Sequence, residues 1–433
     1  MKKTYIDTAM ERIAPDLILK GGNVVDVFSG RVIKADVIIK DGIICGVGSY
    51  SGENEQDVSG KYVMPGFIDS HVHIESSMTQ PSEYAKAVMP HGITTVIADP
   101  HEITNVCGED GLEFMLKSAK NIPLDVNLML PSCVPATPFE HTGANLDAKT
   151  TQKLAPKFFG IGEMMNYPGI VSGDDETLGK LCLDIIDGHA PLLSGHELDA
   201  YTSAGIKTDH ECSVVEEMTE KISKGMYILL REGTLSLDVA KLIKGVTPYT
   251  LKRCAFCTDD RFVGEIIRDG SIDHCIRKAV SLGLNNIDAI IMATLNACEM
   301  YGMKNKGAIA PSYVADIVVA DDLNLSSISQ VYKNGKLVCE NGKALFECET
   351  VDNSKVTNTV HLPKISADFF KTDVKDKFDA IELIPESIIT KKVTVSYSDS
   401  LSKVCVIERH HNLGTKGIGF VTNYGITNGA IAT

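Results

Sequence analysis

Apolar residues follow two different rhythms along this chain, and the change of rhythm divides it. Between residues 16 and 63 short runs alternate apolar and polar positions: Asp16-Leu-Ile-Leu-Lys20, Asn23-Val-Val-Asp-Val27, Ala35-Asp-Val-Ile-Ile-Lys40 and Ile43-Ile-Cys-Gly-Val47. A period of two is that of a half-buried strand. Gly21-Gly22 reads as a turn, and Asp41-Gly42 between two such runs is a strong hairpin signal. A small antiparallel sheet is therefore predicted. The same kind of segment returns at Ala315-Asp-Ile-Val-Val-Ala320 and in the hairpin Val331-Tyr-Lys-Asn-Gly-Lys-Leu-Val338. The simplest arrangement is one β domain built from residues 1–64 and 304–350, closed around an inserted unit.

The insert, residues 65–303, alternates strand-like and helix-like stretches at a spacing of about 20 to 35 residues, which is the rhythm of βα units. Eight strand candidates stand out: Phe67–His73, Thr94–Asp99, Leu124–Leu130, Phe159–Met164, Leu183–Gly188, Gly205–Asp209, Met226–Arg231 and Cys254–Thr258. Amphipathic stretches such as Pro81–Met89, Gly108–Ala119, Val214–Lys224 and Leu237–Ile243 lie between them. The pattern predicts an α/β fold, a (β/α)8 barrel with its chemistry on the loops after the strands. A doubly wound open sheet is the rival, but it gives no reason for polar residues at so many strand ends. Residues 351–433 are expected to form a C-terminal α+β domain. A polar linker runs to about residue 375, and strands follow at Val393–Tyr397, Lys403–Ile407 and Gly417–Val421.

The chain of 433 residues is 44% hydrophobic, enough for several cores, and its net charge is −15. Nucleic acid is an unsuitable partner, because phosphate contacts need clustered Lys and Arg. A small uncharged molecule remains acceptable. Met1 to Pro15 lacks the apolar core of a signal peptide, and no later run reaches membrane-spanning length. Twelve Cys are scattered through apolar segments, as reduced buried thiols are. The expectation is a cytoplasmic protein with no membrane partner. Cys254 and Cys257 form a lone C-x-x-C, a weak signal for structural zinc without a second pair.

The candidate chemistry lies at the ends of the predicted barrel strands. After the first come His71 and His73, which a period of two points to the same side. The second ends in Asp99-Pro-His101-Glu102, the fourth carries Glu163, and the fifth ends in Asp187-Gly-His189. The sixth gives Asp209-His210-Glu211, the seventh Arg231-Glu232 and the eighth Asp259-Asp260. Imidazole and carboxylate ligands without thiolate suit manganese, iron or zinc, and a carboxylate between imidazole pairs suits two ions. The assignment puts His71, His73 and Asp259 on one ion, His189 and His210 on the other, with Glu163 bridging. Coordination of this kind lowers the pKa of water by several units, and Asp259 is placed to take and return its proton. His196 competes with His189 for the fifth-strand position but falls at the start of a helix-like stretch, so His189 is preferred. His91, His141 and His274 lie away from strand ends, and His410 and His411 fall in the tail.

Several connecting stretches make the reading more specific. Pro65-Gly-Phe-Ile-Asp-Ser-His-Val-His-Ile-Glu-Ser-Ser-Met78, Ala98-Asp-Pro-His-Glu-Ile-Thr-Asn-Val106, Gly162-Glu-Met-Met165, Asp187-Gly-His-Ala-Pro191 and Thr208-Asp-His-Glu211 resemble the microbial adenine deaminase family of the amidohydrolase superfamily. The first motif marks the superfamily, whereas Glu75-Ser-Ser-Met78 and Asp99-Pro-His-Glu-Ile103 are far more particular. The resemblance runs across nearly the whole chain. It implies hydrolysis of the 6-amino group of adenine to hypoxanthine and ammonia, in purine salvage, with a binuclear manganese or iron centre and a homodimer.

Loss of ammonia from C6 requires protonation of the ring nitrogen and of the amino group, so acidic groups beyond the metal ligands are needed. Glu102, Glu211 and Glu232 are the candidates for that work, with His101, Arg231 and Asp260 expected against the substrate. His101 and Glu102 are alternatively ligands of a further metal. Members of the family continue past a Gly-Ala-Ile-Ala-like sequence, present here at Gly429–Ala432, into a His- and Asp-containing segment, so the tail domain is expected to be truncated. Two rival readings follow: a hydrolase of cyclic amides or other amino-heterocycles, and an inactive protein that binds metal or purine.

Overall fold

The computed structural model describes residues 1–374, 376–385, 389–426 and 428–432. Its centre is a barrel of eight parallel strands in sequence order: Phe67–Val72, Ile93–Ala98, Asp125–Leu130, Gly160–Met164, Ile186–Gly188, Thr208–Asp209, Tyr227–Arg231 and Cys254–Cys257. Strands one to five pair as one sheet and six to eight as another. The eighth strand closes on the first through a parallel bridge between Val72 and Asp259. There the Asp259 amide donates to the His71 carbonyl at 3.0 Å and the His73 amide to the Asp259 carbonyl at 3.1 Å. At the seam between strands five and six, the Gly188 amide donates to Thr208 Oγ1 at 3.0 Å.

Every residue of Phe67–Val72, Ile93–Ala98 and Cys254–Cys257 is buried, so even their polar members Asp69, Ser70, His71, Thr94 and Thr95 face the interior and not solvent. Helices such as Pro81–Val88, Val215–Ser223 and Ile272–Ser281 cover the outside, burying Tyr84, Met218, Cys275 and Ile276 against the barrel. The polar ends of the strands are then left at one mouth.

Both flanks join in a nine-stranded sheet, where Ile317–Ala320 pairs antiparallel with Tyr62–Pro65. The expected all-antiparallel sheet is in fact mixed, because Leu17–Asp26 runs parallel to both Tyr62–Pro65 and Glu55–Asp57. Gly21-Gly22 is no turn either. Leu17–Asp26 is one strand whose register against Arg31–Lys40 shifts between Leu19 and Gly22, which is a bulge. The two hairpins do form where expected, with Asp41, Gly42, Asn334 and Gly335 all at positive φ as such tight turns require.

The tail holds a four-stranded sheet in the order Thr390–Val395, Phe378–Leu383, Lys416–Thr422, Ser402–Ile407. Phe378–Leu383 was not anticipated from the sequence. Among the described residues after 350 the only helical segment is the 3-10 turn Ala367–Phe370, so the expected helical component reduces to that. No helix among the described residues is long and apolar enough to cross a membrane.

Candidate active site at the barrel mouth

The strand ends bring imidazoles and carboxylates together around Glu163. One oxygen, Oε2, lies 2.7 Å from His189 Nδ1 and 3.1 Å from His210 Nε2. The other, Oε1, lies 3.6 Å from His73 Nε2 and 3.2 Å from His101 Nδ1. Across from it Asp259 Oδ1 stands 3.1 Å from His73 Nε2 and 3.7 Å from His71 Nε2. The His71 and His210 rings stack with centroids 4.0 Å apart. Donor atoms of His71, His73 and Glu163, of His71, His210 and Asp259, and of Glu163, His189 and His210 each lie within 4.8 Å of one another.

Local structure sets these orientations. His73 Nδ1 meets the Asp99 carbonyl at 2.8 Å, so the ring proton belongs on Nδ1 and the Nε2 lone pair faces the cluster. Glu163 is held from below, its amide donating to Asp99 Oδ2 at 2.9 Å. That carboxylate fits only because residue 162 is glycine, where a Cβ would stand 2.1 Å from Asp99 Oδ2. Asp259 adopts φ 55, a strained backbone for a residue with a side chain. The loops after strands five and six are fixed by Lys221, whose buried ammonium donates to the Ala190 carbonyl at 2.7 Å, Asp209 Oδ2 at 3.0 Å and Glu217 Oε1 at 2.7 Å.

The electrostatics call for positive charge between these groups. Burial raises the Glu163 carboxyl, but the neighbouring imidazoles of His189, His101 and His210 outweigh it and hold Glu163 well below the usual carboxylate range. For His189 burial acts downward, yet the Glu163 carboxylate prevails and pushes the ring up to about 9. Cations between the rings would supply the same charge in place of protons. The buried Nδ1 of His71 has no hydrogen-bond partner, its nearest carboxylate being Asp187 Oδ2 at 3.6 Å. A donor set of imidazoles and two carboxylates fits a pair of divalent ions of the manganese, iron or zinc type.

The remaining expected residues divide. Glu102 lies 3.5 Å from His73 Nδ1 and 3.4 Å from His101 Nε2, and Ser76 Oγ links it to Asp260. Both acids thus stand beside the imidazoles. Glu211 Oε1 reaches 3.4 Å from His210 Nε2 and 3.6 Å from His189 Nδ1. Two expectations need correction. Arg231 is turned entirely onto Glu211, Asp238 and Asp259. Glu232 leaves the cluster altogether and pairs with Lys278 of the outer helix Ile272–Ser281. Glu232 follows the last residue of the strand and turns outward where Arg231 turns inward.

His196 is fully exposed on the helix Gly195–Ser203, far from the role weighed for it. His91 pairs with Asp273 at 3.2 Å, His141 Nδ1 meets Thr415 Oγ1 at 3.3 Å, and His411 Nε2 meets the Thr142 carbonyl at 3.1 Å. Cys254 and Cys257 are three apart in one strand and so face opposite ways. Residues the sequence reading passed over include Asp238, Lys221, and Cys133, whose Sγ lies 3.3 Å from His101 Nδ1.

A parallel barrel with buried imidazoles and carboxylates converging at its mouth defines the class. Residues 62–338 match the model of the Amidohydrolase family. The folds of an enamidase (TM-score 0.56, 18% identity, 77% of this chain and 97% of that one) and of a β-aspartyl dipeptidase from Fervidobacterium islandicum (TM-score 0.54, 19% identity, 78% and 98%) are similar. Within that class, the chain is 47% identical to the adenine deaminase of Clostridium acetobutylicum over 99% of its own length and 79% of the relative's. It is 44% identical to that of Halalkalibacterium halodurans over 96% and 76%. The chain belongs to the adenine deaminase family of amidohydrolases.

Proposed function

We propose that this protein hydrolyses the 6-amino group of free adenine, giving hypoxanthine and ammonia, as its relatives' name implies. The observation that carries the reading is the convergence of His71, His73, Glu163, His189, His210 and Asp259 at one barrel mouth in a chain of that family. His71, His73 and Asp259 would hold one ion, His189 and His210 a second, and Glu163 both, with manganese the preferred metal. When bound, such a pair supplies water of lowered pKa and a Lewis acid for the developing charge.

The chain's own residues do the rest. C6 of adenine is an amidine-like carbon, and water adds to it as Asp259 takes a proton through the oxygen that faces His73. Ring nitrogen N1 gains a proton in the same step, and the amino group leaves as ammonia once it is protonated too. Of Glu102, Glu211, Glu232 and Asp260, Glu211 is held by Arg231 and Glu232 by Lys278, which leaves Glu102 and Asp260. Burial and the Asp259 charge push the Asp260 carboxyl up, suiting it to deliver a proton. Burial raises Glu102 too, but the His73 and His101 imidazoles prevail and hold it well below the usual range, so it stands ionised beside them and balances their charge. His101 completes the wall beside Glu102.

We place the enzyme in the cytoplasm as a homodimer that binds no nucleic acid, in keeping with its charge of −15 and twelve unpaired cysteines. The test is metal analysis beside an adenine assay. Protein loaded with manganese should carry two ions per chain and release ammonia and hypoxanthine in equal amounts. Full loading with no ammonia from adenine would remove the reading.

A further inference from the structure

Arg231 ends the seventh barrel strand, between the sixth strand, which leads to Glu211, and the eighth, which leads to Asp259. Its side chain is buried, and a guanidinium has five N–H donors in one plane. The structure gives each of its three nitrogens a carboxylate. Nε donates to Asp238 Oδ2 at 3.1 Å, and Nη2 lies 3.0 Å from the same oxygen and 3.3 Å from Glu211 Oε2. Nη1 donates to Glu211 Oε1 and, at 3.0 Å, to Asp259 Oδ2. Every nitrogen of the guanidinium is engaged by a carboxylate, and the side chain is buried.

The two oxygens of Asp259 are thereby divided. Oδ2 is held by Arg231, and Oδ1 is turned toward His73 and His71. Glu211, by contrast, has both oxygens on the guanidinium, and Oε1 also faces His189 and His210. Asp238 anchors the fork from behind, its own amide donating to the Arg231 carbonyl at 2.9 Å. One planar group therefore sets two carboxylates, each facing a different imidazole pair.

We propose that Arg231 is a positioning residue: it fixes the rotamer of Asp259, and with it the spacing between the two halves of the site, without touching substrate. This deepens the function proposed above and rests on it for the kinetic part only. Lysine keeps the charge of Arg231 but offers a single point in place of a fork. For Arg231→Lys, kcat should fall about 100-fold, the scale of a misplaced catalytic group, with KM for adenine unchanged within about threefold. Titration of chelator-treated protein with manganese(II) should show one of two binding steps weakened about tenfold and the other unchanged.

Should Arg231→Lys fail to fold, Asp238→Asn gives the same test from behind the guanidinium, with the same signs and about a tenfold loss of kcat. A raised KM with kcat retained would overturn the proposal in favour of substrate contact. Wild-type kcat together with two wild-type binding steps would overturn it as well. If wild-type protein releases no ammonia from adenine, the proposed function falls, and the manganese titration still decides the role of Arg231.

Discussion

A charge cluster stands at each end of the barrel, and the two clusters are built to opposite specifications. At the base, Lys306 and Lys333 meet Asp125 and Asp316. Lys333 lies 2.8 Å from Asp125 and 2.7 Å from Asp316, and Lys306 lies 2.8 Å from Asp316 and also pairs with Asp125. Two ammonium groups answer two carboxylates, and the spare oxygen of Asp316 takes the Asn334 amide at 3.0 Å. At the mouth, Glu163 and Asp259 face imidazoles whose charge depends on protonation, and the buried His71 Nδ1 and Asp99 Oδ1 have no hydrogen-bond partner. The base is charge-balanced and joins the barrel to the flanking sheet; the mouth is unsaturated, which is what a binding centre needs. Stability and chemistry thus sit at opposite ends of the strands.

The contrast can be broken most sharply at the mouth. Glu163→Gln should lower kcat/KM for adenine about 1000-fold or more, because a neutral amide stabilises neither cation nor transition-state charge. Metal analysis should find fewer than two ions per chain, while the melting temperature of chelator-treated protein should not fall. Chelation of the wild type should cost about 4 kcal/mol of stability where free metal had stood 1000-fold above its dissociation constant. Calorimetry in the presence and absence of chelator measures that loss, and Glu163→Gln should abolish most of it.

At the base the effects reverse. Lys333→Met leaves the Asp125 and Asp316 carboxylates short of charge and should destabilise by about 3 kcal/mol in denaturant titration. Turnover per metal-loaded chain should stay within about twofold, since distant sites act independently. Acid should sharpen the contrast further. Burial raises the Asp316 carboxyl, but Lys333 and Lys306 outweigh it and leave it below its ordinary 3.8. A depressed carboxyl stabilises the fold above its unfolded pKa, and that contribution disappears as pH falls through the folded one. Between about pH 5 and pH 2.5, Lys333→Met should therefore lose stability less steeply than wild type. His196→Ala, on an exposed helix, should change neither activity nor stability beyond about 0.5 kcal/mol.

The barrel was legible because full burial and polar strand ends are both one-dimensional signals. Even Thr208–Asp209, only two residues as a strand, was found from the polar cluster after it. Glu232 was misplaced because its partner, Lys278, comes from an outer helix far along the chain. The bulge at Gly21-Gly22 was misread because a turn and a bulge use the same residues, and only the partner strand distinguishes them. The roles of Arg231 and Lys221 were not legible, since both depend on carboxylates brought in from other loops. Phe378–Leu383 carries charges at Asp379 and Glu382, three apart, which breaks the period of two and hides the strand.

The absent side chain at position 162 limits how this centre can be altered. Adding one methyl there would displace Asp99, and Asp99 is what supports the backbone of Glu163. A variant library that spared the histidines but randomised this residue would be nearly empty of active clones, whereas the solvent-facing tips of the loops offer room for redesign.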